Sequence, residues 1–112
     1  MTTQINWSQF CQAVLTGAPA SVYGPVPTGS QASISAASAW NPVAASGNAV
    51  VDLFVVPSGG SETDATHLDR ISVPPGAALP LVNAINQKLT AGMSLYAVGN
   101  GATLTISGSV AS

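Results

Sequence analysis

Apolar positions recur along this chain in short bursts, separated by glycine, proline and small polar residues. That is the texture of a domain built from strands. The strongest burst is Ala49–Val56, where apolar side chains fill every position except Asp52. A run of this kind predicts a strand buried on both faces. Gln31–Trp40 alternates small apolar and polar residues, with Ala32, Ile34 and Ala36 on one parity, and predicts a half-buried strand. Residues 68–73 alternate as well, with Leu68, Arg70 and Ser72 on one face and Asp69, Ile71 and Val73 on the other. Ser21-Val22-Tyr23 is a short candidate strand. Residues 93–98 and 102–106 are two more, and 107–111 a last extended piece. Asn100-Gly101 is the favoured pair for a two-residue hairpin turn, so 93–98 and 102–106 are expected to pair with each other.

Two segments show the helical period instead. Trp7, Phe10, Cys11, Val14 and Leu15 fall at i, i+3, i+4, i+7 and i+8. Asn6 or Ser8 would cap that helix, and Gly17 with Pro19 would stop it. The alternative for the segment is an extended arm anchored by Trp7 and Phe10. Further on, 80–89 places Leu81, Ile85 and Leu89 on one face, with Pro80 suited to a first turn and Ala91-Gly92 to the stop. Pro27-Thr28-Gly29, Asn41-Pro42, Ser46-Gly47-Asn48 and Pro74-Pro75-Gly76 are turn signals, and 57–66 is a Gly/Ser/Thr loop. The expected fold is therefore all-β, mainly an antiparallel β-sandwich or jelly-roll-like domain, with one or two short helices. Residues 1–20 form the N-terminal helix or arm, and 21–112 the β-sandwich domain.

Composition changes the picture of the surface. The chain has 112 residues, the size of one domain, and only 5% are charged, with a net charge of −2. An average soluble protein carries about 25% charged residues. The surface must be covered by Ser, Thr, Asn, Gln, Gly and Ala, and much of it is expected to lie against other protein. Arg70 and Lys88 are the only cations, so neither nucleic acid nor an anionic membrane is an expected partner. No apolar run approaches the roughly 20 residues of a membrane span. Met1-Thr2-Thr3-Gln4 has no basic residue, and no secretory signal is expected. Cys11 is the single cysteine, which precludes an internal disulfide and suits a packed small hydrophobe folded in a cytoplasm.

Candidate chemistry concentrates in Ser61-Glu62-Thr63-Asp64-Ala65-Thr66-His67. A Ser–His–Asp triad draws its parts from separate elements on a rigid frame, and three residues in one loop do not match that. A metal on Glu62, Asp64 and His67 would have one imidazole and no visible support. A solvated loop of turn-forming residues is the simpler expectation. Ser58-Gly59-Gly60-Ser61 lacks the Lys-Ser/Thr ending of a phosphate loop. Asn6-Trp7-Ser8 matches a glycosylation sequon, with nothing else to indicate a secreted eukaryotic chain. No catalytic residue, cofactor or metal is expected, and the chain does not read as an enzyme. The aromatic residues are spread one per element, the spacing of core or interface anchors. Trp7, Phe10, Leu15, Tyr23 and Trp40 are the candidate interface residues.

The order of motifs in 50–108 resembles small structural proteins of tailed bacteriophages. The motifs are Val56-Pro57-Ser58-Gly59-Gly60-Ser61, Ile71-Ser72-Val73-Pro74-Pro75-Gly76, Leu81-Val82-Asn83-Ala84-Ile85-Asn86, Gly92-Met93-Ser94-Leu95-Tyr96-Ala97 and Thr105-Ile106-Ser107-Gly108. The family often carries an acidic residue near the Gly92-Met93-Ser94 turn, and this chain has none there. The resemblance implies a non-enzymatic β-sandwich virion component. The expected function is a capsid decoration or cement protein on the capsid surface, made in the host cytoplasm. It would bridge major capsid protein subunits and self-associate as a dimer or trimer. The alternatives are a tail-associated fibre, adaptor or connector component, and a carbohydrate-binding module exposing Trp40 or Tyr23.

Overall fold

Leu104, Ile106 and Gly108 point one way along the strand Thr103–Ala111 and are buried, while the intervening Thr103, Thr105 and Ser107 are half-exposed. That strand is the middle of the fold. The computed structural model describes residues 4–63 and 65–111, and the described chain is all-β. Its strands are β1 Ile5–Val14, β2 Ala20–Tyr23, β3 Gln31–Trp40, β4 Ala49–Val56, β5 His67–Val73, β6 Ala78–Pro80, β7 Lys88–Leu89, β8 Ser94–Gly99 and β9 Thr103–Ala111. A five-stranded sheet runs β1-β9-β3-β6, with β7 also on β3, and a four-stranded sheet runs β2-β8-β4-β5. Every pairing among them is antiparallel. One apolar core serves both sheets, joining Ile34, Leu104 and Ile106 of the first to Val51, Leu53 and Leu95 of the second. Burial of each such side chain is worth roughly 1.5–3 kcal/mol.

Neither expected helix forms among the described residues. Residues 7–15 belong to β1 and its exit, and the helical stripe arises from a bulge. The register of β1 on β9 shifts between Gln9 and Cys11, which reverses the parity of the side chains beyond it. Trp7 and Val14 therefore share the solvent side, 73% and 69% exposed, while Leu15 is in the core at 4%. Over 80–89 the chain makes successive i→i+3 turns, Ala84 N–H to the Leu81 carbonyl and Gln87 N–H to the Ala84 carbonyl. Asn86 then takes a positive φ of 70°, which no helix interior accommodates. The turns spend their other backbone groups on β3. Leu81 N–H donates to the Ala37 carbonyl, Asn86 N–H to the Ile34 carbonyl, and Ile34 N–H to the Gln87 carbonyl.

The expected hairpin across Asn100-Gly101 does not form either. β8 lies in the four-stranded sheet and β9 in the five-stranded sheet, so the turn is a corner between layers. The corner is stitched to the exit of β1. Leu15 N–H donates to the Ala102 carbonyl at 2.7 Å, Gly101 N–H to the Leu15 carbonyl at 2.9 Å, and Gly99 N–H to the Thr16 carbonyl at 3.0 Å. The alternation in β3 holds for Ala32 and Ile34, but Ala36 is exposed. A bulge between Ile34 and Ala36 hands the inward side to Ala37 and Ala39. β4 and β5 follow their expected faces, with Val50 the exposed member of β4.

Two residues lock this arrangement and generate predictions. A Cβ on Gly108 would lie 2.0 Å from the Ser33 carbonyl oxygen and 2.8 Å from the Phe10 ring. Gly108→Ala is expected to lose at least about 2 kcal/mol in urea unfolding, whereas Gly47→Ala, with open space around it, changes little. Asn41 is 1% exposed. Its side-chain amide donates to the carbonyls of Gly47 at 3.0 Å and Val73 at 2.9 Å. Asn41→Ala orphans both acceptors and is expected to cost about 1–3 kcal/mol by the same measurement.

Candidate functional site

The largest contrast on the surface is at the free side of β1. Among the described residues β1 pairs on one side only, with β9. Its register places Ile5, Trp7 and Gln9 beside Ala111, Ser109 and Ser107, and Gln12 and Val14 beside Thr105 and Thr103. These side chains share the outer face of the five-stranded sheet, opposite Leu104 and Ile106. β3 continues the face, with Trp40 also beside Thr103. The outcome is a Ser/Thr surface that carries one charge, Lys88 on β7 beside Ser33, and has exposed apolar residues along the opposite margin: Ile5 at 57%, Trp7 at 73% and Val14 at 69%. β1 contains no charged residue.

The candidate interface residues divide. Trp7 is the most exposed aromatic side chain, and Trp40 is 41% exposed at the far end of the same face. Leu15 is a core residue and offers no contact surface. Phe10 and Tyr23 stack on each other, ring centroids 4.1 Å apart and 9° from parallel. That stack joins β1 of one sheet to β2 of the other and closes the layer edge beneath Trp7. Tyr23 is thereby committed to an internal contact rather than to a sugar-binding groove. A cleft of about 400 Å³ lies between Asn41–Asn48 residues and the Asn100-Gly101 corner. Its walls carry amide and small side chains and no ionisable group.

A second constellation sits on the four-stranded sheet. His67 Nε2 is 2.9 Å from Asp52 Oδ1, and Arg70 Nε donates to the same oxygen at 2.5 Å. The His67 ring also lies against Phe54, with centroids 4.9 Å apart. Neighbouring strands supply the parts: Asp52 and Phe54 come from β4, His67 and Arg70 from β5. The Asp52 side chain is 12% exposed and that of Arg70 66%, and a pair so open to water contributes only about 0–1 kcal/mol. What the group does well is pin β4 to β5 in register. Asp69 acts similarly, accepting from the Asn83 N–H and side-chain amide, both at 3.2 Å, and so tying the 81–87 turns to β5. His67 turns to Asp52, and Asp64 lies outside the described residues. Among the described residues no group of three or more His, Cys, Asp or Glu side chains could hold a metal ion. Among the described residues no helix is long and apolar enough to cross a membrane. Sequence spacing does not announce the Asp52–His67–Arg70 contact, because Asp52 lies 15 residues from His67 and 18 from Arg70, although it stands out as the one charge in an apolar strand.

Burial raises the Cys11 thiol above its ordinary value of 9.0, partly offset by a backbone hydrogen bond at Ile106. It likewise raises the Tyr23 phenol above 10.0. Both groups favour the neutral form in the fold. The stability they contribute is complete below the unfolded values and is lost as pH rises through the folded ones. The unfolding midpoint is expected to fall steadily above about pH 9. A Cys11→Ala, Tyr23→Phe double variant, melted across the same range, should show a shallower fall.

No protein-family model matches this chain, and no curated protein matches it. Among solved structures it is similar to the VP2 subviral particle of infectious bursal disease virus, at 11% identity and a TM-score of 0.37, over 97% of this chain and 32% of that one. It is also similar to the Gx strain of infectious bursal disease virus, at 12% identity and a TM-score of 0.35, over 98% and 31%. The chain thus spans about a third of the length of those proteins, and likeness at this level does not establish a shared fold.

Proposed function

We propose that this chain is a non-enzymatic structural protein of a virion, a capsid decoration or cement protein of the tailed-phage type with a β-sandwich fold. The observation that carries the reading is the charge-free margin of the five-stranded sheet, β1 with Trp7 exposed at its edge. The order of motifs in 50–108 supports the family. In this reading the protein lies on the capsid surface and bridges major capsid protein subunits. Neutral polar surface is well suited to that task, because it can be buried without desolvating charge. The protein would be made in the host cytoplasm and act without cofactor or nucleic acid.

The test is the rupture temperature of heads that carry the protein and of heads stripped of it. Stripped heads are expected to break at lower temperature and to recover when the protein is added back. Equal rupture temperatures would contradict the cement role. Copy number in the same particles separates the tail alternative. A cement protein is present in proportion to the shell subunits, whereas a fibre, adaptor or connector component is limited to the few copies the tail axis allows.

A further inference from the structure

Two sheets present four edges, and this chain guards three of them. β6 is three residues long and ends in Pro80, and β7 beside it has two residues. β2 is four residues long and is flanked by Pro19 and by Gly24-Pro25. β5 carries His67, Asp69 and Arg70. Shortness, proline and charge are the usual devices that stop one sheet from adding to another. The fourth edge, β1, has none of them. It is ten residues long, uncharged and free of proline, with Ile5 and Trp7 exposed. Its bulge lies beyond Gln9, so the stretch holding Ile5 and Trp7 is regular.

We infer that β1 is a homotypic docking edge, at which two copies of this chain pair β1 with β1 antiparallel about a two-fold axis. The five-stranded sheets of the two copies then become one continuous sheet. Charge placement favours a second copy. The sheet charges Asp52, Asp69 and Arg70 lie in the other sheet, and Lys88 lies on β7, across β9 and β3 from β1. Two copies meeting at β1 therefore bring none of these strand charges together. Antiparallel pairing about a two-fold sets each strand in its own partner's register, the commonest closed form for identical subunits. Side chains on one face of the first strand meet the same face of the second, so Trp7 and its counterpart share the outer surface near the axis. Phe10 is excluded from the contact by its stack on Tyr23.

This inference rests on reading the domain as a contact protein, and it is independent of where the protein sits. Sedimentation equilibrium of the purified chain over a range of concentrations is the test. The wild type is expected to be a dimer. Trp7→Glu and Trp7→Lys, each confirmed as folded by its melting curve, are expected to weaken dimerisation about 30-fold or more. Mixing the two variants should restore much of it by pairing opposite charges across the axis. A wild type that stays monomeric, or a trimer, would overturn the proposal, as would single variants that dimerise like the wild type. A mixture no stronger than its components would also overturn it. Amide exchange of the wild type provides a readout without substitution. Amides on the free side of β1 should slow as concentration rises, and unchanged rates, or slowing only on addition of a different protein, count against a second copy. Absence of the protein from purified particles would sink the virion reading and leave the strand pair standing.

Discussion

The structure depends on β9 having a bulged strand on each side. β1 shifts register against it between Gln9 and Cys11, and β3 shifts between Ile34 and Ala36. Both irregularities converge on Gly108, which pairs with Ser8 on one side and Ile34 on the other. Without a side chain there, the Phe10 ring and the Ser33 carbonyl both reach the space that a Cβ would fill. Phe10 can then reach Tyr23 and join the two layers. The bulges also decide which residues face water. Because β1 changes parity, both Trp7 before the bulge and Val14 after it emerge on the outer face.

From that geometry comes a division of labour between the sheets. Among the described residues the four-stranded sheet holds the ion pairs, with Asp52 between His67 and Arg70, and Asp69 accepts from the neutral Asn83. These contacts order β4, β5 and the 81–87 turns. The five-stranded sheet carries a single charge, Lys88 on β7, and presents Ser and Thr along β9 with tryptophan at two corners. A surface like this resists non-specific charge attraction and still offers backbone and apolar contact at one margin. It suits a component whose task is to lie against other protein.

Much of the strand layout was legible because burial in β5, β8 and β9 largely follows a two-residue period, while β4 is apolar and covered along nearly its whole length. The failures have specific causes. In β1 the bulge produced spacings that match a helix, since a parity change between two apolar pairs mimics the i, i+3, i+4 pattern. In 80–89 the apolar spacing was real, but β3 competes for the backbone groups and Asn86 adopts a positive φ. Asn100-Gly101 is a good tight turn whose flanking strands go to different sheets, and local turn chemistry does not encode that choice. Among the candidate interface residues, Trp7 and Trp40 are exposed, whereas Leu15 belongs to the core. Phe10 and Tyr23 find each other across layers, a contact that no local spacing announces.

The central claim is that this domain works by contact through the free edge of β1. A density map of the particle in which we propose the protein sits tests it most directly. The account predicts continuous sheet density across β1 into a neighbouring copy, with Trp7 covered. A particle in which the β1 edge faces solvent, and neighbours touch the domain elsewhere, would contradict it.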